Sequence, residues 1–137
     1  MNKVVLKKPP QGSLRMGHPW VYKDQLHETP PPSEAGTLVD VVTEGGRRLA
    51  RGYWNPKSEI SVRIPTRQDR PVDAAFFKER ITEAVRHRER MVRDTNAMRL
   101  VNSEADGLPG LIVDRYDEVL VVQFLTLGME KMRDVVL

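Results

Sequence analysis

Cysteine is absent from the 137 residues. That excludes disulfides, thiolate zinc sites and a cysteine nucleophile. The three histidines, His18, His27 and His87, lie in separate segments without metal-ligand spacing. There is no GxGxxG after a strand and no GxxxxGK[ST] loop, so no motif cradles a nucleotide phosphate. Long hydrophobic runs are missing too. The longest, such as 119–122, fall far short of the ~18 residues a membrane span needs. The opening MNKVVLKKPP carries charge but no apolar stretch, so it does not read as a signal peptide. The expectation is a reduced, cytoplasmic setting without a membrane.

What is present reads as a soluble globular chain, 39% hydrophobic and 30% charged. The length suits one medium domain or two small ones. A chain this size buries roughly two-thirds of its unfolded surface. Net charge is +3, but it is unevenly spread. Residues 1–67 carry 11 basic and 6 acidic side chains, whereas residues 97–137 carry 4 and 7. A basic first half favours a polyanion such as RNA or DNA as partner.

The periodicity changes along the chain. Residues 3–8 read as a strand broken by Pro9, Pro10 and Gly12, and residues 13–16 as one helical turn ending at Gly17. Three prolines make 29–36 a loop. Strands are expected over 37–43, 48–54 and 60–64, joined by turns at 44–47 and 55–57. In the last of these, Ile60, Val62 and Ile64 take one face, and Ser61 and Arg63 the other. Short strands between Gly/Pro turns suggest a small β-barrel or sandwich. Residues 66–72 form a polar connector and the domain boundary. Asp73 can cap a helix of about 20 residues with Phe77, Ile81, Ala84, Val85, Arg88, Met91 and Val92 on one side. Period two then returns, with strands at 99–102, 111–114 and 119–125 around a turn at 105–110. Thr126 caps a final amphipathic segment, with Met129, Met132, Val135 and Val136 on one side. The pattern is cut at Leu137 without a helix-stop signal, which suggests a truncated fragment.

No residue reads as catalytic, cofactor-binding or metal-binding. Glu104 and Asp106 sit in a turn sequence, where turn chemistry explains them better than acid/base work. An RNA-binding reading has more support. Lys7, Lys8, Arg15, Arg47, Arg48, Arg51, Lys57 and Arg63 offer phosphate partners. His18 and Tyr53 offer rings, and Asn55 a two-way amide. Basic groups interleaved with aromatics on a small barrel suit looped or single-stranded RNA, whose splayed bases can stack. Trp20 and Trp54 read mainly as core, and Tyr53 stays open between core and surface. The arginines of the long helix read as a solvated face balanced by Glu79, Glu83 and Glu89.

Three strings, GHPWVY at 17–22, LARGYWNPKSEISVRI at 49–64 and RLVNSEADGLPGLIVDRY at 99–116, resemble one family. It is the bacterial 23S rRNA large-subunit methyltransferase I family, which forms 5-methylcytosine from S-adenosylmethionine. The resemblance implies an α+β chain: a PUA-like RNA-binding pseudo-barrel over 1–70, a long linking helix over 71–96, and a partial β-hairpin and helix domain over 97–137. It implies 23S ribosomal RNA as partner and S-adenosylmethionine as cofactor of the full-length protein, with none held by this chain. The family's Rossmann-like catalytic domain and its catalytic cysteine motif find no match here, so the chain is expected to be inactive by itself. A stand-alone PUA-type RNA-binding adaptor without enzymatic activity is the alternative, and a packing module without RNA affinity a third reading. The apolar side of 129–136 and the hairpin at 99–125 are expected to make the chain self-associate as a homodimer.

Overall fold

The computed structural model describes residues 2–10, 12–31 and 34–137, without the side chains of Ser13 and Glu28. Pro32 and Ser33, in the loop expected over 29–36, lie outside the described residues. The chain divides into two compact units, Met1–Arg70 and Pro71–Leu137. Together they hold a curled β-sheet, a long helix and a second, smaller sheet, an α+β architecture.

The first unit is a six-stranded sheet. Its elements are β1 (Asn2–Leu6), α1 (Gly12–Arg15), β2 (Trp20–Tyr22), β3 (Leu26–Glu28), β4 (Leu38–Val42), β5 (Arg48–Trp54) and β6 (Ile60–Thr66). The strand order is β2-β6-β5-β4-β1-β3. Among the described strands of this sheet, β1 and β4 are the one parallel pair. β2 and β3 lie at opposite edges, yet only the 3₁₀ turn Lys23–Gln25 separates them in sequence. The sheet therefore has to curl until its edges approach. Alternation sends Val39 and Val41 of β4, Val4 and Leu6 of β1, Ala50 and Trp54 of β5, and Val62 and Ile64 of β6 into one aliphatic core. Leu14 of α1 plugs the same core.

Gly52 allows two strands to come unusually close. A Cβ there would lie 2.6 Å from both the Arg63 carbonyl oxygen and Val62 Cγ1. Two details depart from the sequence pattern. Ser61, expected on an outward polar face, is buried, and its hydroxyl donates to the Ser58 carbonyl at 3.2 Å. Residues 67–70, within the expected polar connector, are pinned to the first unit, which no local pattern signals. Their carbonyls and Asp69 are held by Arg48 and Arg51.

In the second unit, Asp73 caps α2 (Ala74–Met91) by accepting from the Phe76 N–H at 3.0 Å. The helix buries Phe76, Phe77 and Ala84. Its neighbours within the unit include β7 (Ala97–Asn102) and the 3₁₀ turn Ser103–Asp106. Met91, expected on the apolar side, is 70% exposed. The helix ends there, because Val92 already has extended backbone angles (φ −119°, ψ 122°).

β7, β8 (Leu111–Tyr116) and β9 (Val119–Phe124) form an antiparallel three-stranded sheet in that order. The β7–β8 turn is fixed by one carboxylate. Asp106 Oδ2 accepts from the Asn102 N–H at 2.7 Å and from Arg88 at 3.2 Å. Gly107 follows in the left-handed region (φ +69°), where an L side chain is strained. Asp114, buried in β8, pairs with Arg99 at 2.8 Å.

Thr126 caps the next segment, accepting from the Met129 N–H at 3.2 Å. That segment is two short helices, α3 (Leu127–Lys131) and α4 (Arg133–Val136), interrupted at Met132. Met129 is fully buried, Met132 and Val136 are half-buried and Val135 is 42% exposed, so the expected apolar side is only partly covered.

Candidate nucleic-acid interface

β2 is only three residues long and pairs with β6 alone. One side of it is covered, so Val21 points into the core at 0% exposure. The other side carries Trp20 and Tyr22, two residues apart and hence on one face. His18, a further two residues back, continues the row. Its ring meets Trp20 edge-on at 4.9 Å between centroids, and Trp20 meets Tyr22 edge-on at 6.5 Å. Such T-shaped contacts hold each ring at a fixed angle to the next.

A cation completes the row. Arg63 of β6 is the register partner of Trp20. Its guanidinium carbon lies 5.0 Å from the indole centroid, within cation–π range. The loop leading into β2 is tethered as well: Arg67 donates to the carbonyls of Leu14 at 3.1 Å and His18 at 3.0 Å. The row of rings is thus set by strand pairing on one side and by a guanidinium clamp at its start.

The residues singled out from sequence divide into three groups. His18 and Arg63 come together in this aromatic row. Lys7, Lys8, Arg15, Arg47 and Lys57 are exposed, Arg15 at the end of α1 and the others beyond strand ends or in turns around the sheet. Asn55, half-buried, accepts from the Lys57 N–H at 3.0 Å and so shapes the turn before β6. That turn borders the end of β2, where the Lys23 N–H donates to the Glu59 carbonyl at 2.8 Å.

Arg48, Arg51 and Tyr53 are placed differently. Arg51 is 9% exposed. Its Nε donates to Asp40 at 3.0 Å, and its two terminal nitrogens donate to the Arg70 carbonyl at 2.7 Å and to Asp69 at 3.2 Å. Arg48 donates to the carbonyls of Arg67 and Gln68, with its Nε 3.4 Å from Asp40. Both guanidiniums hold residues 67–70 against β4 and β5. Tyr53 is 4% exposed, on the face of β5 opposite Trp54, and burial pushes its hydroxyl well above the ordinary tyrosine value. Its ring is closed to a base from outside.

Sequence reasoning assigned Trp20 to the core, but the structure leaves it half-buried. Core and surface tryptophans look alike in sequence. The deciding fact is that β2 is an edge strand, and only the topology supplies it. Tyr22, in the aromatic stretch 19–22 that reads as entering a core, is 40% exposed, and Arg67 carried no signal of its own.

The two acidic residues that the sequence sets in the 105–110 turn region are occupied by structure. Glu104 accepts from the Ser103 hydroxyl at 2.6 Å, and Asp106 holds the β7–β8 turn. Among the described residues, no group of three or more His, Asp or Glu is arranged to hold a metal ion. The links from β6 to α2 and from β9 to α3 contain no glycine, so neither offers the glycine-rich strand-to-helix loop of a nucleotide or S-adenosylmethionine site. No described helix is long and apolar enough to cross a membrane.

A small curled sheet with an aromatic and basic edge defines a class, and residues 4–67 match the PUA-like domain family. The whole chain matches a more particular group. It is 43% identical over 136 residues to ribosomal RNA large subunit methyltransferase I of Shewanella denitrificans, covering 96% of this chain and 34% of that protein. The protein of that name from Shewanella frigidimarina is 40% identical over 138 residues, covering 98% and 35%. That from Alteromonas mediterranea is 42% identical over 135 residues, covering 96% and 34%.

Two solved structures share the fold across 99% of this chain and 36% of their own. One, described as a methyltransferase complexed with SAH, superimposes with a TM-score of 0.78 at 16% identity. The other, described as a SAM-dependent methyltransferase of Streptococcus mutans, gives 0.83 at 15%. Over nearly its whole length the chain is similar to these ribosomal RNA large subunit methyltransferase I proteins, and its residues 4–67 are the PUA-like part. It spans about a third of the length of the curated relatives it matches.

Proposed function

We propose that this chain docks 23S ribosomal RNA for a cytosine methyltransferase, and that the PUA-like unit, residues 1–70, makes the contact. The observation that carries the proposal is the row His18–Trp20–Tyr22 on an exposed sheet edge with Arg63 over its central ring. Unpaired bases stack on such rings, and exposed lysines and arginines around them neutralise phosphates. Lys7, Lys8, Arg15, Arg47 and Lys57 are the cations open to that role. Arg48 and Arg51 act instead by holding residues 67–70 in place.

Among the described residues, the second unit shows no such row of rings. Residues 71–96 serve as a linking helix and 97–137 as the start of a central domain in this reading. Forming 5-methylcytosine calls for a thiolate nucleophile, and the chain has no cysteine. Methyl transfer from S-adenosylmethionine is therefore assigned to the part of the relatives that this chain does not span. Work on ribosomal RNA sets the protein in the cytoplasm. Tyr116, Val119, Leu120 and Val121, all exposed on or beside the free strand β9, support self-association as a homodimer. Light scattering over a range of concentrations tests that part.

The RNA proposal is tested by titrating the 137-residue chain with transcripts of individual 23S rRNA domains at physiological salt. Binding of one domain well below the roughly 10⁻⁶ M of generic electrostatic association is the expected result. Equal, weak binding of every transcript would overturn it.

A further inference from the structure

A cavity of about 190 Å³ opens in the first unit beside α1 and the 3₁₀ turn Lys23–Gln25. Its apolar lining comes from Leu6, Leu14, Pro9 and Pro10. Leu6 and Leu14 are 2% and 3% exposed, so the cavity reaches down to the barrel core. It is smaller than the roughly 300–1,000 Å³ of drug-sized ligand sites, which suits one heteroaromatic ring and little more.

The polar lining is asymmetric. Asp24 supplies a carboxylate that makes no ion pair with Lys7 or Lys8, although all three line the same cavity. Gln25 supplies an amide whose Oε1 already accepts from the Tyr22 N–H at 2.8 Å. Its NH₂ is thereby left as the donor. The backbone there is also fixed, with the Lys7 N–H donating to the Gln25 carbonyl at 2.9 Å. Lys7 and Lys8 add two exposed cations. An apolar slot with an acceptor, a donor and two cations complements a nucleotide. Guanine fits best: its N1–H and N2–H are adjacent donors for one carboxylate, and its O6 accepts from an amide. Adenine, cytosine and uracil have no such pair of adjacent donors.

The cavity is also close to the aromatic row along the chain, because the backbone N–H of Tyr22, whose ring ends the row, donates to the Gln25 side chain. We infer that the Leu6–Leu14–Asp24–Gln25 cavity binds a single unpaired guanine of the RNA, with Lys7 and Lys8 on its phosphate. The inference rests on the RNA-docking reading above and deepens it. The row of rings would bind bases without regard to sequence, and the cavity would read one of them.

The test uses single-stranded RNA heptamers of uridine with guanosine, adenosine or uridine at the centre, titrated against the whole chain and against Asp24→Asn. The guanosine heptamer should bind the native chain about tenfold more tightly than the other two, a bidentate contact's usual discrimination. Asp24→Asn should remove that preference without weakening the all-uridine heptamer. Addition of 5′-GMP, and not AMP, should shift the Gln25 side-chain amide resonances. Equal affinity for the three heptamers, or a guanosine preference that survives Asp24→Asn, would overturn the cavity assignment. If 23S transcripts still bind in that case, the docking reading stands alone. If neither heptamers nor transcripts bind, both fall.

Discussion

Trp20 and Arg63 are register partners across the β2–β6 pair, and the guanidinium carbon sits 5.0 Å from the indole centroid. The strand pairing that builds the barrel thus also builds the stacking surface. Trp20→Ala should weaken binding of single-stranded RNA by roughly 5- to 100-fold, the range for losing one base–aromatic stack. Trp20→Phe should recover most of the loss. Fluorescence anisotropy at fixed salt reads both. An Ala variant with native affinity would remove the aromatic row from the interface.

Basic residues of the same unit should separate into two behaviours. Arg51→Met removes one donor from the Arg70 carbonyl and leaves Asp40 only the longer Arg48 contact at 3.4 Å, and should cost about 3 kcal/mol in a denaturant titration. The figure belongs at the low end for a broken pair, since the Asp40 side chain is 19% exposed. Lys57→Ala, on an exposed turn, should leave stability within about 0.5 kcal/mol and lower RNA affinity. Arg51→Met at full stability would refute the structural role given to Arg51.

Tyr53 makes an alkaline prediction. Its hydroxyl is buried and finds no hydrogen-bond partner among the described residues. Burial raises its pKa above the ordinary value of 10.0. A group raised in the folded state contributes stability that is complete below the unfolded pKa and is lost as pH rises toward the folded one. The native chain should therefore lose up to about 1.4 kcal/mol per pH unit above pH 10 from this group alone. Tyr53→Phe removes an unpartnered buried hydroxyl, so it should be at least as stable at pH 7 and should widen its lead above pH 10. Parallel pH–stability curves for the two would show that Tyr53 is not buried.

Gly52→Ala should destabilise the barrel by roughly 1–3 kcal/mol, because the new methyl meets backbone on β6 rather than a movable side-chain end. Relief of that clash moves Arg63, so RNA affinity should fall with stability. Urea unfolding and anisotropy on one preparation measure the two effects. A variant unchanged in both would refute the close β5–β6 approach.

The parts of this fold that were legible in the sequence are those set by local pattern. β-branched residues, the flanking turns and the alternation at 60–64 predict β4, β5 and β6 to within two residues at each end. Asp73 and Thr126 announced their helices through capping chemistry that needs only a few neighbouring residues. The inward turn of Trp54 followed from the small Ala50 and Gly52 on its face. What stayed hidden depends on contacts distant in sequence. Arg51 looks like any phosphate-binding arginine until the fold sets Asp40 and residues 69–70 around it. Trp20 looks like core until β2 proves to be a sheet edge. The Leu6–Asp24 cavity joins residues from β1, α1 and the 3₁₀ turn, and no spacing rule connects them.

The most direct test of RNA docking through exposed cations is the salt dependence of binding by the 137-residue chain. If four to six phosphates are neutralised, the logarithm of the association constant should fall linearly with the logarithm of salt, with a slope of roughly −3 to −4 for a single strand. Lys57→Ala should make that slope shallower by about 0.7, and Arg51→Met should leave it unchanged in the folded fraction. A slope near zero in the native chain would contradict the account, because an interface built from these lysines and arginines has to release counterions.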